Sequence, residues 1–555
     1  MTMAKVYFLP QKIAVSVATG SRLLDAARLA GIAVDTPCDG AGSCGKCKAR
    51  ISVEGVRAVR SEHQDSLTQE DIDSGWVLAC QTSVLGDVEV ELAAADDDGL
   101  QILSAGEALS VAIDPWIGKR YDVSADRTHI LAGGEELSFE AGDTTRELYG
   151  VAVDIGTTTL VSSLLDLRDG AELGVTSSLN PQALYAQDVL SRIKMGSQPE
   201  GLQKLHDGLI DEINRQIASL TAQAGINTES IYEVVFSGNT TMLHLAVGVN
   251  PASLGKFPYT LVLEGGGHVA AQAVGLRIAP QALVYMPPII SAYVGPDITS
   301  GILATRLAER DGITLFVDIG TNGEMALAVD GKLTATSTAA GPAFEGMNIA
   351  CGMRASRGAV ELVSLGEDGV RVQTIAGAEA VGICGSGLLD VVAELAAKSG
   401  LDRNGRFQHK AVLTQPWSES WEMLDGKPIF RIAGPVYLTQ KDVRQVQLAK
   451  GAIRAGVELL LKANNVSASQ VDRVLIAGSF GFHLRTLSLV NLGLLPPEFA
   501  DRVEFVGNTS KSGAQAFLLN RGVREAMQDL VAGIEVVELA NDAGFERSFV
   551  KALQF

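Results

Sequence analysis

Two stretches of this 555-residue chain carry one design, and that repeat constrains the fold more than any other feature. "LYGVAVDIGTTTLVSSLLDL" begins at Leu148 and "ITLFVDIGTNGEMALAV" begins at Ile313. Each is an apolar strand, a tight Gly-Thr turn and a second strand. Asp154 and Asp318 hold the same place in the two copies, 164 residues apart. A repeat on that scale predicts two similar lobes, each opening on a hairpin, with a cleft between them.

The chemistry of the turns follows from their residue types. Gly156 and Gly320 allow a sharp bend and the close approach of a phosphate. Backbone amides and the hydroxyls of Thr157, Thr158 and Thr321, with Asn322 beside them, can donate to phosphate oxygens. Asp154 and Asp318 are the candidate catalytic pair. Together they can hold a hydrated Mg²⁺, because magnesium favours carboxylates, waters and nucleotide oxygens. No G-x4-G-K-[ST] occurs at either turn, so neither is a Walker loop.

Further stretches fit the same cleft. "VVFSGNTTMLHLAVG" is a strand running into Gly238-Asn239 and a helix, which suits the cleft end of the first lobe. "VDRVLIAGSFGFHL" is a buried strand ending in Gly478-Ser479-Phe480-Gly481 and opening a helix, with room for a flat ring or sugar against the glycines. "AAGPAFEGMNIACGMRASRGAV", which contains Gly341, is glycine-rich and aperiodic, as a loop at a ligand would be. Gly385 in "GICGSGLLDVVAELAAKSG" touches the nucleotide or simply caps its helix. "TQKDVRQVQLAKGAIRAGVELLLKAN" opens on a Thr439–Asp442 capping box and reads as a core helix of the second lobe. Glu324 points into the cleft or merely lies on its strand, and a lone His483 reads as structural rather than catalytic. Hairpin, hairpin and late glycine turn in this order resemble the superfamily of acetate and sugar kinases, heat-shock chaperones and actin, whose lobes are ribonuclease H-like. The resemblance implies an ATPase.

The N-terminal region has a different character. "KVYFLP" and "KIAVSV" are strand-like, and Leu23, Leu24, Ala27, Leu29 and Ala30 give a helical stripe that stops at Gly31. "CDGAGSCGKC" then brings Cys38, Cys44 and Cys47 together, and Cys80 follows after 32 intervening residues. Small residues between the thiols let backbone amides wrap an anionic cluster. Structural zinc sites more often show two short cysteine pairs, but zinc-bound or purely structural thiols are the alternative. The spacing resembles ferredoxins that hold a two-iron two-sulfur cluster in a β-grasp fold, nearer the adrenodoxin-like variety than the plant-type C-x4-C-x2-C. Cys351 and Cys384 have no partner at metal spacing and read as small buried hydrophobes.

Charge and hydropathy narrow the function classes. The formal net charge is −20, which disfavours nucleic-acid binding. No apolar stretch reaches the roughly 18 to 20 residues of a membrane-spanning helix. "MTMAKVYFLPQKIAVSV" lacks the apolar core and small-residue cleavage site of a signal peptide, so a cytoplasmic location is expected. Four of the six cysteines lie in the first 80 residues, and in a reducing compartment that clustering argues for metal or redox chemistry.

A multidomain α/β chain is therefore expected: a ferredoxin-like domain over 1–97, a linker or small connecting domain over 98–147, and actin-like lobes over 148–300 and 301–555. ATP beside a one-electron carrier is useful when the acceptor lies below the cluster's potential, near about −400 mV for plant-type clusters. Through "VAVDIGTTT", "FSGNTTMLHL", "FVDIGTNGEMAL", "GPAFEGMNIACGMRASRGA", "ICGSGLLD", "LTQKDVRQVQLAKGAI", "AGSFG" and "VGNTSKSGA", the chain resembles the ATP-dependent reductive activators of corrinoid proteins. The resemblance implies that a partner corrinoid methyl carrier, oxidised to Co(II), is returned to Co(I) by an electron from the cluster, with ATP driving the step. It also implies an upstream reductase or ferredoxin as donor, and a homodimer that the short connecting segment puts in question. The alternatives are an electron donor like the activators of 2-hydroxyacyl-CoA dehydratases, and a redox-sensing nucleotide-binding module.

Overall fold

The structure is a computed structural model that describes residues 2–9, 12–30, 32, 34, 47–52, 55–62, 67–92, 110–408, 416–478, 484–539 and 544–555. Cys38, Cys44, Ser479, Gly481 and His483 lie outside the described residues.

In the N-terminal unit, Met3–Leu9 pairs antiparallel with Ile13–Ala18 and parallel with Val88–Leu92. Lys48–Ile51 and Trp76–Leu78 extend the sheet on the far side. Val88, Val90 and Leu92 alternate inward between two glutamates, as period-two patterning requires. The helix Leu23–Leu29 buries Leu23, Leu24, Ala26 and Ala27 against this sheet, while Leu29 turns outward. A mixed sheet gripping one helix is the β-grasp that the cysteine spacing implied.

Residues 110–148 are more than a tether. Ile117–Asp122, Arg127–Ala132 and Glu135–Ala141 form an antiparallel meander. Ile117 and Ile130 from it join the core of the following lobe. Lys119 donates to Tyr232 of that lobe at 2.7 Å and to Glu140 at 2.8 Å.

The sequence repeat becomes two sheets of the same topology. In the first, Tyr149–Ile155, Thr159–Asp166 and Glu172–Leu179 form an antiparallel meander, and Ile231–Gly238 runs parallel to Tyr149–Ile155, with Leu283–Met286 beyond it. In the second, Ile313–Ile319, Gly323–Val329 and Lys332–Thr338 form the meander, and Arg473–Ala477 and Val503–Gly507 follow in parallel. Gly238 and Gly478 end equivalent strands. A Cβ at Gly238 would lie 2.5 Å from the Ile155 carbonyl oxygen, and one at Gly478 would lie 2.3 Å from that of Ile319. Only glycine lets either strand end press against the phosphate-type hairpin beside it.

The lobes are tied by helices that cross over. Pro296–Ala304 follows the last parallel strand of the first sheet, and Thr509–Leu519 follows that of the second. The two pack together so closely that a Cβ on Gly513 would meet the Ser300 carbonyl oxygen at 2.2 Å. Thr509–Leu519 lies on the first sheet, with Ala514, Phe517 and Leu518 in that core. The chain thus returns to the first lobe after residue 508, which a single boundary at 301 does not capture.

The next helix, Gly522–Ala532, completes the return with a buried ion pair. Arg524 donates to both carboxylate oxygens of Glu233, at 2.8 and 3.0 Å, and His268 sits 2.9 Å from the same group. Burial alone would raise the Glu233 pKa; the Arg524 guanidinium outweighs it and holds the carboxyl below its usual range. Removing one partner strands a buried charge, so Arg524→Ala is expected to lose about 3–5 kcal/mol of stability. Urea unfolding monitored by circular dichroism checks this, and Glu233→Gln in the same chain is expected to recover part of the loss.

Candidate functional site: the cleft between the hairpins

The two hairpin turns face each other across a cavity of about 100 Å³. Its walls include Asp154, Gly156, Thr157 and Thr158 from the first turn, and Asp318, Gly320, Thr321 and Asn322 from the second. Asn239 and Gly478 complete the set of sequence candidates that the fold gathers there. A larger hollow of about 280 Å³ lies between Tyr259, Tyr293 and Val537, but it lacks the facing carboxylates and turn hydroxyls.

Each turn is closed by its own backbone. Gly156 N donates to the Thr159 carbonyl at 2.9 Å, and Gly320 N donates to that of Asn322 at 2.9 Å. Asn239 caps its helix by accepting from the Met242 amide, and its Nδ2 donates to Thr157 Oγ1 at 3.0 Å. Gly238, expected at the ligand, and Gly385, read as a ligand contact or a helix cap, do not line the cavity. Gly238 is explained by its contact with Ile155, and Gly385 begins the helix Gly385–Ala397. Gly341 stands just behind the wall, with its amide on the Thr321 carbonyl at 2.9 Å.

Four further groups enter the cleft that the sequence did not single out: Asp297, Glu345, Asn508 and Ser510. Glu324, left undecided from sequence, is also in the wall, opposite Asp318 in the strand register. Asn508 Nδ2 donates to Asp154 Oδ2 at 2.8 Å, and Ser510 Oγ donates to Oδ1 at 2.7 Å. The second half of the chain therefore orients the acidic residue of the first. A local signal exists: Gly507-Asn508-Thr509-Ser510 resembles Gly238-Asn239-Thr240-Thr241, and in both the Asn follows a strand and caps the next helix.

The electrostatics describe a site short of positive charge. Burial, Asp318 and Asp154 push Asp297 up to about 8. Burial and Asp154 push Asp318 up to about 7. Glu324 is raised well above the ordinary value by burial and then by Asp297 and Asp318, while burial raises Asp154 against the pull of Ser510 and Asn508. Lys511, whose charge acts on Asp154, is tied to Glu172 at 3.0 Å. Crowded carboxylates in a desolvated cleft are relieved by protons or by a multivalent cation, and Mg²⁺ takes only one or two carboxylates beside waters and phosphate oxygens, so Asp154 and Asp318 fit it without a preformed three-ligand group among the described residues.

In the N-terminal unit, Cys47 and Cys80 are both buried, with their sulfurs 3.2 Å apart. That is far beyond a disulfide bond of about 2.05 Å, and close enough for one shared metal site. Gln81 Nε2 lies 3.7 Å from the Cys80 sulfur, the kind of donor that stabilises an anionic cluster. Cys384 sits in the second lobe with its thiol pushed up by burial. Among the described residues, no three His, Cys, Asp or Glu side chains are grouped to hold a metal ion, and no helix is long and apolar enough to cross a membrane.

The class of protein is defined by these parts: a β-grasp iron–sulfur module joined to a duplicated, actin-like ATPase body. Comparison narrows it. Residues 6–85 match the 2Fe-2S iron-sulfur cluster binding domain, 149–310 the RACo middle region, and 312–555 the C-terminal ASKHA domain of RACo. A solved structure of a reductive activator for corrinoid,iron-sulfur protein is 33% identical, with a TM-score of 0.73, covering 100% of this chain and 98% of that one. The corrinoid activation enzyme RamQ of Eubacterium limosum is 28% identical over 599 residues, 98% of this chain and 97% of its own length. The [Co(II) methylated amine-specific corrinoid protein] reductase of Methanosarcina barkeri is 25% identical over 406 residues, 67% of this chain and 70% of its own. The chain belongs to the RACo family, the reductive activators of corrinoid proteins.

Proposed function

We propose that this chain reactivates a corrinoid methyl-carrier protein by reducing its Co(II) to Co(I), one electron at a time, with ATP hydrolysed in the interlobe cleft. The observation that carries the reading is the end-to-end likeness to a reductive activator, with a thiol module and a nucleotide-type cleft in one chain. The four cysteines Cys38, Cys44, Cys47 and Cys80 would hold a two-iron two-sulfur cluster. Bound there, the cluster supplies a single electron at low potential.

The protein's own groups have distinct tasks. Buried Cys47 and Cys80 would anchor one side of the cluster and keep water from it. In the cleft, Asp154 and Asp318 would hold Mg²⁺, with Asp297 and Glu324 behind them. Asn508 and Ser510 aim Asp154 from the start of the helix that returns to the first sheet, so both halves of the chain build the site. The hydroxyls of Thr157, Thr158 and Thr321 would donate to phosphate oxygens. Gly478, with Ser479 and Gly481, would lie against the nucleoside. Because both halves build one cleft, binding a triphosphate favours the closed arrangement, and hydrolysis weakens that preference. That cycle is the source of drive for an uphill electron. An upstream reductase or ferredoxin would refill the cluster in the cytoplasm, and a homodimer is the assembly implied by the family.

The test uses the whole chain, prepared anaerobically, with a cognate corrinoid protein, a low-potential reductant and Mg-ATP. The corrinoid's visible spectrum is expected to change from Co(II) to Co(I) only when chain, reductant and ATP are all present. A spectrum that stays at Co(II) with the cluster intact overturns the proposal.

A further inference from the structure

Thr158 and Thr321, two of the three turn hydroxyls assigned to phosphate, already have an acceptor. Thr321 Oγ1 donates to Glu345 Oε1 at 2.5 Å, and Thr158 Oγ1 donates to Glu345 Oε2. One threonine belongs to each lobe, so a single carboxylate spans the cleft. Its backbone is held on the second lobe. Ala343 and Phe344 of the same short turn are 3% and 2% exposed in that lobe's core, and Gly341 at its start is bonded to the Thr321 carbonyl. With the turn anchored, the part of Glu345 left free to rotate is its side chain.

A hydroxyl has one proton to donate. Thr158 and Thr321 cannot serve Glu345 and phosphate oxygens together, and the two anions repel at hydrogen-bond distance. Arg192, on the first-lobe helix Val189–Gly196, is wholly buried, and Asp188 and then Glu345 are close enough to act on its charge. Its guanidinium donates to the Ala186 carbonyl and to Gln182 Oε1, but Nη2 has no hydrogen-bond partner among the described residues.

We infer that Glu345 is a positioning residue that stands in for phosphate: in the nucleotide-free chain it occupies both turn hydroxyls, and an arriving phosphate displaces it. The inference rests on the nucleotide reading of this cleft. Glu345 then sets how much of a nucleotide's affinity is spent on opening a bridge that the empty chain makes with itself. No bond is broken covalently; two hydrogen bonds change acceptor, and the displaced carboxylate turns toward solvent at the cleft mouth.

The experiment is isothermal calorimetry on the full chain with Mg²⁺ and either a non-hydrolysable ATP analogue or adenosine. Because hydrogen bonds to a charged acceptor are worth more than neutral ones, Glu345→Ala is expected to bind the triphosphate on the order of tenfold more tightly than wild type. Adenosine, which has no phosphate, is expected to bind both chains equally. Glu345→Asp keeps the charge but is one methylene too short to span the turns, and it is expected to tighten triphosphate binding as well. Circular dichroism melting confirms that each variant is folded, with Glu345→Gln as the conservative replacement should Ala unfold the turn. Unchanged or weaker triphosphate binding in a folded Glu345→Ala overturns the inference. So does an equal gain for adenosine, which would mean general loosening, or a Glu345→Asp indistinguishable from wild type, which would leave only bulk charge. A wild-type chain that binds no triphosphate at all would instead overturn the nucleotide reading.

Discussion

Asp318→Ala is expected to lower Mg-ATP turnover by about 10²–10³-fold, the range seen when one preorganised electrostatic group is removed from a catalytic site. Corrinoid reduction should fall with it, while the iron–sulfur absorption spectrum stays unchanged. The argument begins with where Asp318 stands. It is the penultimate residue of the strand Ile313–Ile319, opposite Glu324, in the wall of the cleft shared with Asp154. Burial and Asp154 push its pKa up to about 7, so its ionised form is uncomfortable without a cation beside it. Such strain is tolerated where a bound cation relieves it. Truncation should therefore leave the metal-free chain as stable as wild type or slightly more so, while activity collapses. This opposition of stability and function is the usual mark of a working site, and a purely structural aspartate would show the reverse. Thermal melting and a phosphate-release assay on one preparation separate the two. Turnover that survives the substitution removes Asp318 from the catalytic pair.

Local pattern made the hairpins legible, because an apolar strand, a Gly-Thr turn and a second apolar strand specify themselves within about twenty residues. The repeat then placed Asp154 opposite Asp318 without any structure. The groups that were missed have their reasons at long range. Asn508 reaches Asp154 across 354 residues, and nothing near Asn508 reveals which lobe its helix will cover. Ala514, Phe517 and Leu518 announce burial but not the partner sheet. Asp297 reads as an ordinary acidic residue in a helix's first turn, and only the facing lobe turns it into a cleft group. Glycines pose the opposite difficulty. Gly238 reads as a ligand contact, and the Ile155 carbonyl 2.5 Å from its would-be Cβ requires glycine there whether or not a ligand approaches. A glycine's steric reason and its functional reason look alike in one sequence. The N-terminal thiols were readable because metal ligands obey spacing, but the Gln81 amide near Cys80 follows from the fold of the short turn Ala79–Gln81.

Cys80→Ser is expected to give the mirror image of Asp318→Ala: a colourless chain with little iron that still hydrolyses ATP. Serine is nearly isosteric, but its hydroxyl is a hard, weakly acidic donor where iron–sulfur chemistry needs a thiolate. Cys80 is 5% exposed and Cys47 1% exposed, so no water can readily take the missing ligand's place. Iron analysis should fall from about two per chain toward zero, since a two-iron cluster that loses one of four ligands on a buried face is not held. The N-terminal core should also loosen, because Cys47 and Cys80 pack within the same cluster of side chains as Phe8, Leu78 and Val90. Among the described residues the ATPase body has its own two large cores, formed without any residue of the cysteine unit, so its turnover is expected to persist. Corrinoid reduction should be lost in both variants for different reasons, one lacking the electron and the other the drive. Mixing them then asks whether the two tasks can be shared between chains. Restored reduction in the mixture would require one chain's cluster to work with another chain's cleft, as a homodimer would allow, and its absence would confine both tasks to a single polypeptide. A Cys80→Ser chain that keeps its colour and its iron would remove Cys80 from the ligand set.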